Sequence, residues 1–134
     1  MGHDQARVRE FARSYTEAWC SHDPTRVAAQ YVPGGTIAIN GGGPTEITEV
    51  ARSFINGFPD IEVFMDDVVV DDDSVVYRWT FTGTNTGPGG IEQAVRISGF
   101  ERWRLGDDLL VIDATGHFDK AEYERQLEHG QPDS

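Results

Sequence analysis

Near the end of the chain Val111, Asp113, Thr115, His117 and Asp119 share one parity, and Leu110, Ile112, Ala114 and Phe118 share the other. On a β-strand, alternate residues point to opposite faces, so one face would carry two carboxylates and an imidazole. Such a face is either solvated or turned into a pocket. If it is enclosed, a carboxylate loses solvation and its pKa rises towards the working pH. Asp119 could then take a proton from a carbon beside a carbonyl, provided that donors stabilise the enolate oxygen. His117, Asn85 and the hydroxyl of Tyr15 are the candidate donors.

Other side chains carry more than one reading. Arg78, between Tyr77 and Trp79, is an exposed strand charge, a cross-sheet partner of Asp113 or the anchor of an acidic substrate. Tyr15, Trp19, Phe54, Phe58 and Phe100 line a pocket or form ordinary core. Asn40 is a pocket amide or a turn residue. The four His, at positions 3, 22, 117 and 129, lack metal-ligand spacing, so no metal site is expected. Asp71–Asp73 reads as a hairpin tip rather than a calcium loop. Gly87-Pro88-Gly89-Gly90 lacks the following Lys-Ser/Thr and helix of a phosphate loop. Cys20 is the only cysteine, which excludes an internal disulfide, suggests a reducing compartment and reads as a buried, inert thiol.

The elements that must position these groups fall into two halves. Val8, Phe11, Ala12, Tyr15, Ala18 and Trp19 recur at helical steps, which predicts a helix over about Asp4–Ser21. Asp23-Pro24 opens a shorter helix to about Tyr31, and Pro33-Gly34-Gly35 stops it. Thr36–Asn40 reads as a short strand. Ile47, Val50, Ala51, Phe54, Ile55 and Phe58 predict a third helix from about Thr45 to Asn56. From Ile61 the period becomes two: strands are expected over Ile61–Val70, Val75–Thr84, Glu92–Leu105 and Leu109–Phe118, then a helical turn or two over Lys120–Glu128. Residues 130–134 read as a loose tail. Helices followed by a meander of long strands predict a single α+β domain over residues 1–134. The long sheet is expected to curl so that the helices close a cone-shaped cavity.

The 134 residues carry a formal net charge of −12, which argues against nucleic-acid and anionic-membrane partners. No apolar run approaches the 18 or so residues of a membrane span and no signal-peptide pattern opens the chain, so a cytoplasmic location is expected. If only one side of the sheet met the helices, Tyr77, Trp79 and Phe81 or their neighbours would form an apolar outer patch, and a homodimer would bury it.

Several strings, in order, resemble the SnoaL-like (polyketide cyclase-like) branch of the nuclear-transport-factor-2-like superfamily. They are Tyr15-x-x-x-Trp19, Gly57-Phe58-Pro59-Asp60, Arg78-Trp79-Thr80, Gly83-Thr84-Asn85-Thr86-Gly87, and Asp119 with Gln126-Leu127. The resemblance implies N-terminal helices packed on a strongly curved, mostly antiparallel sheet, with an apolar cone as the site. It implies a cyclase- or isomerase-type enzyme, without cofactor, acting by proton transfer on a small, largely apolar carbonyl compound. Asp119 matches the cyclase acid/base, while Asn85 stands where the family often has His. An epoxide-hydrolase branch uses an Asp-Arg-Asp set on a water; Asp113, Arg78 and Asp119 supply the types without its spacing. The alternative implied by the same fold is a non-catalytic ligand-binding or dimerisation module.

Overall fold

The computed structural model describes residues 4–71, 74–86 and 92–129. Helix α1 (Gln5–Cys20) starts where the Asp4 side chain accepts from Ala6 N, and it buries Val8, Ala12, Tyr15, Ala18 and Trp19. Helix α2 (Pro24–Ala28) is capped by Asp23 with Pro24 at its first turn. Helix α3 (Ile47–Gly57) buries Ile47, Ala51 and Ile55, and α4 (Lys120–His129) closes the described chain. The strands are β1 (Tyr31–Ile39), β2 (Thr45–Glu46), β3 (Glu62–Asp71), β4 (Ser74–Thr84), β5 (Ala94–Leu105) and β6 (Val111–Phe118).

They form one open sheet in the order β2-β1-β6-β5-β4-β3. The β3–β4–β5–β6 meander is antiparallel, and β1 joins β6 in parallel. The expected α+β architecture, helices on one face of a mostly antiparallel sheet, is therefore present. The Asp72–Asp73 tip, the Gly87–Gly90 turn, His3 and the 130–134 tail lie outside the described residues.

Two strand expectations change. β1 begins at Tyr31, not Thr36, because Pro33-Gly34-Gly35 does not stop the chain. It forms an irregularity between the pairs Tyr31↔Val111 and Thr36↔Asp113, with Gly34 at φ +78°. Thr45–Glu46, read as the start of the third helix, instead pairs as β2 with Ile37 and Thr36.

The inward face of β4 carries Val75, Tyr77, Trp79 and Phe81, and that of β5 carries Val95, Ile97, Glu101, Trp103 and Leu105, all buried. Tyr77, Trp79 and Phe81 thus meet the helices and form no outer patch. The outward positions of these strands hold Arg78, Thr80, Thr82, Arg96, Ser98, Phe100, Arg102 and Arg104, so Tyr77, Trp79 and Phe81 supply no face for a second copy.

Side chains cover part of the β3 edge and the end of β5. Gln5 of α1 donates from Nε2 to Val68 O at 2.9 Å and accepts from Val70 N at 3.1 Å. Cys20 is exposed, not buried, and its Sγ exchanges two 3.3 Å hydrogen bonds with the backbone of Val63. Where β5 runs beyond β6, Gln126 of α4 plays the same part, accepting from Arg96 N at 2.7 Å and donating to Arg96 O at 3.1 Å. Gln126 is itself buried.

Candidate active site

Between helices and sheet lies an apolar hollow with Tyr15, Trp19, Phe54, Ile61, Tyr77, Trp79, Phe81 and Phe118 among its walls. It has about 550 Å³ of atom-free space, counting its open mouth. Tyr15, Ile37, Ile61 and Tyr77 form its buried end, and the half-buried Ile39, Val50, Phe54, Val63 and Phe118 mark the side nearer solvent.

One carboxyl group lines this hollow among the described residues, and it belongs to Glu101. Glu101 is 8% exposed and sits on β5 opposite Tyr77 on one side and Gly116 on the other. Gly116 has no side chain to fill the space above its partner. Glu101 Oε1 accepts from Tyr15 Oη at 2.7 Å and from Trp103 Nε1 at 2.9 Å. With the single Tyr15 proton so used, Tyr31 supplies the proton of the 3.1 Å Tyr15–Tyr31 bond. Glu101 Oε2 has no partner among the described residues. It is not sealed either, since the one sealed and unpartnered side-chain polar atom among them is Trp79 Nε1. Oε2 is therefore the oxygen offered to the hollow.

Burial pushes the Glu101 pKa up, against the hydrogen bonds from Trp103 and Tyr15 that favour the charged form. Both donors occupy Oε1, so a bound proton resides on Oε2. Tyr15, Tyr31 and Tyr77 are also pushed up, first by burial and in each case further by the charge of Glu101. They stay neutral donors at any ordinary pH. The arrangement holds one tethered carboxyl whose free oxygen can give or take a proton inside an apolar space.

The expected acidic face of the last strand points the other way. Val111 pairs with Leu105 and Asp113 with Arg104, with an irregularity between them. That irregularity places Val111 inward and Asp113, Thr115 and His117 outward. Asp119 is exposed, and its Oδ1 accepts from Glu122 N at 3.0 Å, which makes it the cap of α4. His117 is exposed and stacks on Phe100 of the outer face, with centroids 5.0 Å apart. Arg78 is exposed with its guanidinium 5.8 Å from the centre of the Phe100 ring. Asp113 pairs with Arg104 at 2.6 Å, not with Arg78, in an exposed bridge worth little. Asp113, Arg78 and Asp119 thus form no common set.

Of the other expected pocket residues, Tyr15, Trp19 and Phe54 line the hollow. Phe58 is buried in the core against Phe81, with centroids 5.4 Å apart. Asn40, at φ +51°, accepts from Phe118 N at 2.9 Å and ends the β1–β6 pairing. Asn85 is half-buried beside a second groove of about 860 Å³ of atom-free space, with Phe58 and Tyr123, and it donates to Gly57 O at 3.4 Å.

This last contact explains two of the sequence strings. Asp60 Oδ1 accepts from Thr84 N at 2.7 Å. A Cβ on Gly83 would lie 3.0 Å from Phe58 Cβ. Gly57–Asp60 and Gly83–Asn85 therefore lock the end of α3 onto the end of β4, a structural junction.

Glu101 went unnoticed in the sequence. Its signal is parity: among Val95, Ile97, Trp103 and Leu105 it is the one acid on an apolar strand face.

No group of three or more His, Cys, Asp or Glu among the described residues is placed to hold a metal ion. No described helix is long and apolar enough to cross a membrane.

No curated protein matches the chain significantly. Solved structures match its fold closely. AclR from Streptomyces galilaeus, a proposed hydroxylase, superposes with a TM-score of 0.80 at 17% identity, over 94% of this chain and 98% of that one. A proposed SnoaL-like polyketide cyclase from Jannaschia sp. CCS1 gives 0.76 at 22% identity, over 94% and 97%. SalBIII, an epoxide hydrolase/cyclase-like enzyme of pyran-ring formation in salinomycin, gives 0.76 at 15%, over 89% and 95%. At these identities the likeness speaks for the fold alone. The family profile described as SnoaL-like domain matches residues 12–112. With helices and sheet arranged as in those structures, the chain belongs to the SnoaL-like domain family.

Proposed function

We propose that this chain is a small-molecule enzyme that moves a proton on a compact, largely apolar carbonyl compound, with Glu101 as its acid/base. The observation that carries this reading is the free Glu101 Oε2, held by the anchoring of Oε1 and facing an otherwise apolar hollow. In such surroundings a carboxyl with a raised pKa can exchange a proton with a carbon acid near neutral pH. The family relationship supports a site in the hollow, and the differing chemistries named for AclR and SalBIII leave the reaction open. Asp119 and His117, on the outside, have no part in this step.

The test is hydrogen–deuterium exchange at the carbon beside the carbonyl of small cyclic ketones, followed by NMR. The wild-type chain is expected to accelerate exchange at least about 100-fold over buffer, within the ordinary reach of general acid–base catalysis, and Glu101→Gln to abolish the gain. Equal rates for the two proteins would refute the proposal. A second reading, a binding module without turnover, rests on the walls, which apart from Glu101 are mostly apolar. Saturable ketone binding without exchange would support it.

A further inference from the structure

Five glycines lie in the described strands, at positions 34, 35, 83, 99 and 116. A glycine inside a strand weakens it, so each calls for a physical reason. Four have one in the backbone or the packing. Gly34 takes φ +78°, and a Cβ on Gly35, Gly83 or Gly99 would crowd Tyr31, Phe58 or the His117 carbonyl. Gly116 has neither. Its φ lies outside the left-handed region, and it pairs without a shift of register with Glu101 on β5 and Ile39 on β1.

A Cβ on Gly116 would lie 3.6 Å from Glu101 Cγ, 3.7 Å from Ile37 Cδ1 and 3.8 Å from Ile39 Cγ1. These are ordinary van der Waals contacts, so alanine fits. All three neighbours are side chains of the hollow's walls, and Gly116 is itself one of those walls. The absent methyl group is therefore absent from the hollow, beside the carbon that carries the Glu101 carboxyl. Between Ala114 and Phe118 on the inward side of β6, the wall steps back in front of the acid.

A strand glycine that serves neither a bulge nor a close backbone marks a place where a ligand comes near. We propose that Gly116 sets the size of the ligand: the room left by its absent side chain receives the substituents of the reacting carbon in front of Glu101. This rests on the proton-transfer reading of Glu101 and narrows the class of compound. The ligand is a cyclic or branched ketone, in which the carbon next to the carbonyl belongs to a ring or bears a branch. Small unbranched ketones reach the acid without this room.

Cyclohexanone and acetone, which share the carbonyl and its exchangeable neighbours and differ in bulk, test the proposal on the full chain. Their dissociation constants are read from NMR titrations of the Ile37 and Ile39 methyl signals. Cyclohexanone is expected to move both signals saturably in the wild type. Gly116→Ala is expected to weaken cyclohexanone about tenfold or more, the ordinary worth of one methyl group in a closed site, and acetone by no more than about twofold. The variant is also expected to fold and to melt about 2–5 °C higher, because alanine replaces a glycine inside a strand.

A variant that fails to fold, or melts lower, would show that the backbone or the packing needs the glycine, and overturns the proposal. So do equal weakening of the two ketones, unchanged affinity for cyclohexanone, and a wild-type chain in which cyclohexanone moves neither isoleucine. Failure of the Glu101 reading looks different: the size limit moves with the variant, yet neither ketone exchanges its hydrogens faster than in buffer.

Discussion

The hydroxyl of Tyr15 donates to Glu101 Oε1 at 2.7 Å, tying the middle of α1 to the centre of β5 across 86 positions of sequence. This bond, with the one from Trp103, decides which oxygen of the acid is tethered and which meets the hollow. It also makes the acid part of the core, so its ionisation is felt by the whole fold.

The pH dependence of stability should show this. Burial raises the folded pKa of Glu101 above its ordinary 4.5, so the folded chain binds the proton more tightly than the unfolded one. The corresponding stability is fully present below pH 4.5 and is lost as pH rises through the folded value. The slope reaches up to about 1.4 kcal/mol per pH unit within that window. Glu101→Gln should lack it. Urea unfolding of both proteins at a series of pH values gives a difference curve, and a flat one contradicts the burial of an ionisable acid here.

Tyr15→Phe removes one of the two donors to Oε1 and leaves Tyr31 without its acceptor. A loss of about 1–2 kcal/mol is expected. The Glu101 pKa should climb further, because the charged form loses a hydrogen bond. Carbon-detected NMR titration of labelled Glu reads the direction; a fall would show that the tyrosine does not favour the carboxylate.

Gln126→Ala should free both backbone groups of Arg96, at a cost of about 1–3 kcal/mol, and speed amide exchange at that residue. Gln126→Glu keeps the acceptor for Arg96 N but loses the donor to Arg96 O and faces Glu122, to which the amide now donates at 2.6 Å, with a second carboxylate, so a loss at least as large is expected. Unchanged exchange at Arg96 in the alanine variant would show that the amide does not complete the sheet.

Gly99→Ala drives a Cβ into His117 O and to 3.0 Å from Phe118 Cβ, besides the Trp79 ring. The first of these is backbone and cannot swing away. Destabilisation by about 2–3 kcal/mol is expected, with the Trp79 indole resonance displaced. Thermal unfolding and an indole NMR spectrum check both effects together.

Asp119→Ala removes the side-chain acceptor of Glu122 N and should cost about 1 kcal/mol as a lost helix cap. Ketone hydrogen exchange should be unaffected, and Asp119→Asn should behave nearly as the wild type. Loss of exchange in a stable Asp119→Asn protein would move the chemistry to the outside of the sheet.

The helices and the long strands were legible because their apolar spacing is strong: α1 and α3 bury the residues their periodicity picks out. β1 was half hidden because Pro33-Gly34-Gly35 resembles a terminator, and β2, with two residues, is too short to show a period. The site was harder. Strict alternation grouped Val111 with Asp113, and a local irregularity in β6 separates them. The polar residues of that strand also find partners the sequence does not reveal, Arg104 for Asp113 and the α4 backbone for Asp119. Glu101 is visible in principle, as an acid at an apolar parity, but the sequence does not show that this stretch of β5 faces a hollow. The family strings were read correctly as markers of the fold; those at Asp60, Gly83 and Asn85 prove to be fastenings between elements.

The edge of β3 has a wider consequence. Through Gln5 and Cys20, the first helix serves as a surrogate neighbour for a strand that would otherwise present bare N–H and C=O groups to any passing chain. The safeguard against fibrillar stacking thus resides in a helix more than 40 residues away in sequence from the strand it shields. Replacing Gln5, or alkylating the Cys20 thiol, would uncover stretches of this edge while leaving the Tyr15 anchor of the hollow's carboxyl in place.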